Sequence, residues 1–232
     1  VTNLSECHQP LFKLIEEIAD KGKNLARDMY GLNGWAVHHN ISIWREAYPS
    51  DGFVYWFFWN MSGPWLCNHI WEHYLYTKDI DFLKKYYPIL KGSATFCSEW
   101  LVENSEGELV TPVSTSPENA YLMPDGISAS VCEGSTMDIA IIRSLFSNTI
   151  NASKILQTDS LFCAELTQKV NKLKKYQIGS KGQLLEWDKE YMENEPQHRH
   201  VSHLFGLYPG CDITAYTPEL FDAARKSLNA RG

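Results

Sequence analysis

What this chain lacks narrows its function before any motif is read. It has no CxxC pair: Cys7, Cys67, Cys97, Cys132, Cys163 and Cys211 are scattered along 232 residues. That spacing in a chain this long predicts buried free thiols rather than a disulfide framework. It has no excess of basic charge. Lys and Arg number 21 against 28 Asp and Glu, a net charge of −7, which argues against nucleic acid or an anionic membrane surface as the main partner. It has no membrane span, since apolar runs such as residues 53–59 fall far short of the ~20 residues required. It opens at Val1 with neither an initiating Met nor a signal-peptide pattern, so a cut or partial chain is expected. The Asn-x-Ser sequons at Asn3, Asn40, Asn60 and Asn151 would matter only in a secreted eukaryotic protein. Low-complexity tracts and domain linkers are missing too, and a single domain over residues 1–232 is expected.

What is present is helical periodicity. Ser5 reads as an N-cap for a helix whose apolar face is Leu11, Leu14, Ile15, Ile18, Leu25 and Met29, with Gly31 as its stop. "PWLCNHIWEHYLYTK" begins with proline and carries Trp65, Ile70, Trp71 and Tyr74. Asp79 opens a further helix that Pro88 is expected to break or kink. "STMDIAIIRSLFSNTINASKIL", Asp159–Lys175 and Pro218–Ala230 complete the set. Between the helices run stretches rich in Gly, Pro, Trp and His at 31–64, 104–134 and 176–216, too long to be idle connections in a compact domain. The pattern predicts an all-α fold of helical hairpins in series, most naturally a toroid, with bundle or solenoid as alternatives.

The loops hold the chemistry. "GWAVHHNISIW" sets Trp35 and Trp44 beside His38, His39 and Asn40. Flat apolar faces with neutral donors and acceptors suit a sugar, although a packed Trp core with backbone-bonded histidines explains them as well. "HIWEH", His69 to His73, matches the H-x-x-E-H pattern of inverted zinc peptidases, with both histidines on one helical face. Its alternative is an amphipathic helix decorated with rings. "HRHVSHLFGLYPG" crowds His198, Arg199, His200 and His203 into six residues, which fits a polyhydroxylated ligand at least as well as a metal.

"STSPEN" is read in two ways. It is a helix start, with Ser116 as N-cap, Pro117 at the first position and Glu118 facing the positive helix end. It is also a place to hold a general acid, provided that burial or a neighbouring carboxylate outweighs that helix end.

Taken in order, "GWAVHHNISIW", "WLCNHIWEHY", "STSPEN", "GSTMD", "GQLLEW" and "HRHVSHLFGLYPG" resemble glycoside hydrolase family 95, the inverting α-L-fucosidases. The resemblance covers nearly the whole chain. It implies an (α/α)6 barrel of the six-hairpin glycosidase type and activity on terminal α-1,2-linked fucose of glycans, without a cofactor or metal. An α-L-galactosidase of the same family and a non-catalytic carbohydrate-binding remnant are the alternatives. By position Glu118 matches the general acid, and His39, Asn40, Trp44, Asn119, His198, His200 and His203 would bind the sugar. An inverting site also needs a base on the opposite ring face. The family's Asp base and asparagine pair are not found between Val1 and Gly232, and neither Glu186 nor Asp188 is marked as their substitute. The resemblance therefore implies an incomplete barrel that is inactive alone, with the apolar flanks at Leu11–Ile18 and Leu220–Leu228 left uncovered. It also absorbs "HIWEH" into helix packing, and it favours a secreted or periplasmic bacterial enzyme in which the sequons are inert.

Overall fold

A computed structural model describes residues 4–232; the sequon at Asn3 lies outside them. In chain order its helices are α1 (Gln9–Leu25), α2 (Val54–Phe57), α3 (Ser62–Thr77), α4 (Ile80–Trp100), α5 (Thr136–Leu156), α6 (Ser160–Lys172) and α7 (Pro218–Arg231). Short strands β1 (Val102–Glu103), β2 (Leu109–Val110), β3 (Tyr121–Leu122), β4 (Ser128–Ala129) and β5 (Met192–Glu193) lie within the expected loops. The fold is thus mostly helical. The chain divides into two compact units, and α5 passes from one to the other after Ile141.

The first unit comprises residues 1–50, 60–100 and 142–172. Its α1 grows from a 3-10 turn at Ser5–His8, without the expected Ser5 cap, and ends through a π turn at Gly31, whose φ of 67° suits glycine. Ile15, Ile18 and Leu25 are fully buried as expected. Phe12, not among the expected residues, is fully buried too, whereas Met29 is exposed. Within the flank from Leu11 to Ile18, Phe12, Ile15 and Ile18 are thus covered, while Leu11 and Leu14 are only partly buried. Asp79 caps α4 by accepting the Phe82 N–H at 3.0 Å. Of the expected break or kink at Pro88, the break does not occur: α4 runs as one helix from Ile80 to Trp100. Tyr86, Tyr87 and Leu90 are buried around the proline. At roughly 1.5–3 kcal/mol for each large buried side chain, they offset the ~3 kcal/mol a mid-helix proline costs.

Three helices meet on one indole. Trp35 is 1% exposed and donates from Nε1 to the Ile89 carbonyl at 2.9 Å. A Cβ on Gly63 of α3 would come within 2.7 Å of its ring, one on Gly92 of α4 within 2.9 Å, and one on Gly22 of α1 within 3.2 Å. Each helix brings a residue without a side chain to the place where Trp35 needs space.

The rings of "HIWEH" also pack here. His73 lies edge-on to Phe12 at 4.8 Å and beside Phe82 at 4.4 Å, while His69 meets Trp65 at 5.3 Å. Among the described residues no three His, Cys, Asp or Glu side chains are arranged to hold a metal ion.

The second unit comprises residues 51–59, 101–141 and 173–232. Here β1 and β2 form a hairpin, and β3 is flanked by β4 and β5, all antiparallel. Leu184, Leu204, Ile213, Ala223 and Ala224 form one small core under α7. Leu220 packs against it, but Leu228 is half exposed. Tyr121, Cys132 and Trp187 form another. The cysteines of both units are free thiols; Cys67, Cys97, Cys132 and Cys163 are buried, Cys7 and Cys211 exposed. No described helix is long and apolar enough to cross a membrane.

Candidate active site

The stretch 111–119 is held in the second unit by two buried carboxylates. Asp138, in the first turn of α5, is fully buried. It accepts Trp59 Nε1 at 2.8 Å, Ser114 Oγ at 2.6 Å and Thr111 Oγ1 at 3.3 Å. Burial pushes its carboxyl up to about 6 against these bonds, of which the one from Ser114 lowers it most. Ser114 also pairs through its backbone with Cys132. The upstream half of the stretch is thereby fixed.

Glu186 holds the downstream half. It is 5% exposed, and its Oε1 accepts Ser116 Oγ at 2.7 Å. Its Oε2 accepts Asn119 Nδ2 at 3.1 Å and Arg231 Nη2 at 2.6 Å. Burial pushes the Glu186 carboxyl up to about 7, opposed first by the Ser116 bond and then by the Arg231 charge. His203 Nδ1 stands 3.6 Å from Glu186 Oε2, beyond a hydrogen bond. Burial, and then the Arg231 charge, pull that imidazole down to about 3, so it stays neutral.

Between these pinned ends Pro117 and Glu118 form a turn rather than the start of a helix. The reason is local. Ser116 spends its hydroxyl on Glu186 instead of capping, the Asn119 N–H closes on the Ser116 carbonyl at 2.7 Å, and the chain then enters β3. The helix-start reading of Glu118 is therefore corrected: no helix begins at Ser116. The Glu118 side chain is 25% exposed. Arg199 Nη2 donates to its Oε2, and His200 Nε2 lies 3.3 Å from the same oxygen. Neither engages Oε1.

The histidine loop comes to the turn from the other side. Ser202 Oγ donates to the Pro117 carbonyl, and the His200 N–H donates to His198 Nδ1 at 3.1 Å. His198 and His203 are buried, as is Asn119. Of the residues expected at the sugar, Glu118 and His200 are thus brought together near the surface, with Asn119, His198 and His203 beneath them. His39, Asn40 and Trp44 belong to the first unit. There Asn40 donates to Ser50 Oγ at 3.0 Å and Trp44 is 72% exposed. Asn60, another sequon asparagine, is buried.

Sequence reasoning took Ser116 only as a helix cap, missing its bond to Glu186, and did not single out Asp138 or Arg231. "GSTMD" and "GQLLEW" signalled Asp138 and Glu186 as motifs without giving them roles. For Arg231 nothing in the local pattern pointed to a buried ion pair.

The description "Glycosyl hydrolase family 95 catalytic domain" matches residues 1–232. The chain is 42% identical over 233 residues to Alpha-L-fucosidase 2 of Arabidopsis thaliana, covering 99% of this chain and 28% of that protein. It is 29% identical over 243 residues to "Probable alpha-fucosidase A" of Aspergillus niger, covering 100% of this chain and 30% of that protein. It therefore spans less than a third of the length of these relatives.

Proposed function

Because the chain belongs to glycosyl hydrolase family 95, we propose that it forms part of an enzyme that removes terminal α-linked L-fucose, α-1,2-linked in preference, from glycans with inversion. Glu118 serves as the general acid. The observation that carries this reading is the mounting of Glu118: a partly exposed carboxylate on a turn whose flanks are both tied to a buried network. Protonating the leaving glycosidic oxygen requires a carboxylic acid held at hydrogen-bond distance from that atom. A fixed turn with an outward side chain supplies it.

In this reading His200 contacts the sugar beside Glu118, and within the first unit His39, Asn40 and Trp44 are sugar-binding residues on their own loop. Trp44 offers an exposed apolar face to ring C–H groups. Asn119, His198 and His203 support the turn from below. The helical hairpins α3–α4 and α5–α6 form part of an (α/α)6 toroid.

The test is Glu118→Gln in the full-length gene product. Turnover of fucosides with sugar leaving groups should fall about 10²–10⁴-fold, with fucose affinity nearly unchanged. Unchanged turnover together with a lower melting temperature would reduce Glu118 to a structural residue. NMR of the first-formed anomer reports stereochemistry: an α-fucoside should release β-fucose.

A further inference from the structure

Both sides of the Glu118 pair hang from one buried contact. On the turn side, Glu186 takes Ser116 Oγ and Asn119 Nδ2, the residues two before and one after Glu118. On the loop side, Arg231 reaches from the last turn of α7. Its Nη1 donates to the Pro196 carbonyl at 2.8 Å, to the Glu195 carbonyl at 3.3 Å and to Glu193 Oε2. Those residues lead into the loop that carries His198, Arg199 and His200. The two halves close through Arg231 Nη2 on Glu186 Oε2 at 2.6 Å, with side chains 7% and 4% exposed.

We infer that the Glu186–Arg231 pair is a positioning device for the reaction proposed above: it sets the Glu118 carboxyl against the leaving-group oxygen without touching substrate. This rests on Glu118 being the general acid. The geometry explains why ions are buried here at all. A buried ion pair is a poor source of stability, because desolvating both charges consumes most of their attraction. It is a good source of fixed geometry when every remaining lone pair and N–H is used. Glu186 uses both oxygens and Arg231 both terminal nitrogens. Neither is a candidate base. Glu186 lies beneath the turn, behind Ser116 and Asn119, which are themselves buried.

Misplacing a catalytic group by about 1 Å costs on the order of 10²-fold in rate, but only where that group is needed. The experiment is therefore a leaving-group comparison on Glu186→Gln in the full-length protein. Gln keeps the shape but replaces one of the two accepting oxygens, which take Ser116, Asn119 and Arg231, with an N–H donor. Turnover of a fucosyl-lactose substrate, whose departing oxygen needs a proton, should drop about 10²-fold. α-L-Fucosyl fluoride, whose leaving group needs no general acid, should be hydrolysed within about threefold of wild type. Equal losses on both substrates, or none on either, would overturn the inference. Ser116→Ala removes one bond from the turn and leaves the ion pair intact. It should show the same selective loss at smaller amplitude even where Glu186→Gln folds poorly, and its absence there would equally overturn the inference. The general-acid reading is checked separately by Glu118→Gln on the same two substrates. If that variant loses neither, Glu118 is not the acid and the fault lies with the proposed function rather than with the ion pair.

Discussion

The two units bury different things. In the first, the buried surface comes from side chains such as Phe12, Trp35, Leu83, Leu90 and Phe96. Its buried polar residues are neutral or histidine: His38, Asn60, Ser62, His73, Ser93, Ser98, Thr149 and Ser153. Its ion pairs, such as Arg45–Glu17 and Lys85–Glu16, lie at the surface. In the second, Asp138, Lys174, Glu186 and Asp188 are all buried. An apolar core gains stability in proportion to area and tolerates some repacking. A buried polar network gains little in net stability but admits only one arrangement of its members. The unit that carries Glu118 is thus the one organised for geometry.

The contrast breaks most readily at Trp35. Trp35→Ala should cost about 3–5 kcal/mol by denaturant unfolding. A loss below 1 kcal/mol would mean that the indole is not the centre of the first unit. Asp138→Ala tests the second. It removes an acceptor from Ser114 and Trp59 without opening a large cavity, and should cost about 1–3 kcal/mol. Asp138→Asn keeps an oxygen there and should cost less. Equal effects of the two substitutions would show that packing, not hydrogen bonding, holds this stretch.

The finest distinction is in the sign of pH dependence. The folded Glu186 carboxyl titrates near 7 against 4.5 unfolded. Between those values the native state holds a proton that the unfolded chain has released. Wild type should therefore lose stability relative to Glu186→Gln as pH rises through that window, at most about 1.4 kcal/mol per pH unit. Asp159 of the first unit has the opposite sign. Lys91 Nζ at 2.7 Å holds its carboxyl below the ordinary value, so its contribution is present at neutral pH and lost on acidification. Melting curves of Glu186→Gln and Asp159→Asn against wild type, from pH 3 to 8, should diverge in opposite directions. Parallel trends would erase the distinction.

The same contrast governs how much was legible in the sequence. Periodicity found α1, α3, α5, α6 and α7 because an apolar stripe records which face is covered. It marked Met29 as apolar face although the helix end turns it outward, and it allowed Pro88 to break α4 as well as kink it, since buried tyrosines nearby leave no local sign of their contribution. In the second unit the ordered motifs singled out Glu118, but its turn was also read as a helix start. Ser116 reads as a cap until its hydroxyl is seen on Glu186, 70 residues away. Arg231 lies 45 residues from Glu186 on the other side, and no spacing rule links a C-terminal helix to a loop carboxylate. Contacts of this range are properties of the fold, and local pattern does not contain them.

The glycine socket around Trp35 has a consequence for descent. Gly63 and Gly92 are each constrained first by the same ring, whereas a Cβ on Gly22 would meet the Ala36 carbonyl at 2.5 Å before the ring, so substitutions at Trp35, Gly63 and Gly92 are not independent. A side chain at Gly63 or Gly92 is excluded while tryptophan is present, and admitted only once a smaller residue has replaced it. Tryptophan lost first leaves a void that costs stability; a glycine lost first leaves a clash. Every single step out of this arrangement goes downhill, which makes it a set of positions that a lineage keeps together or abandons together.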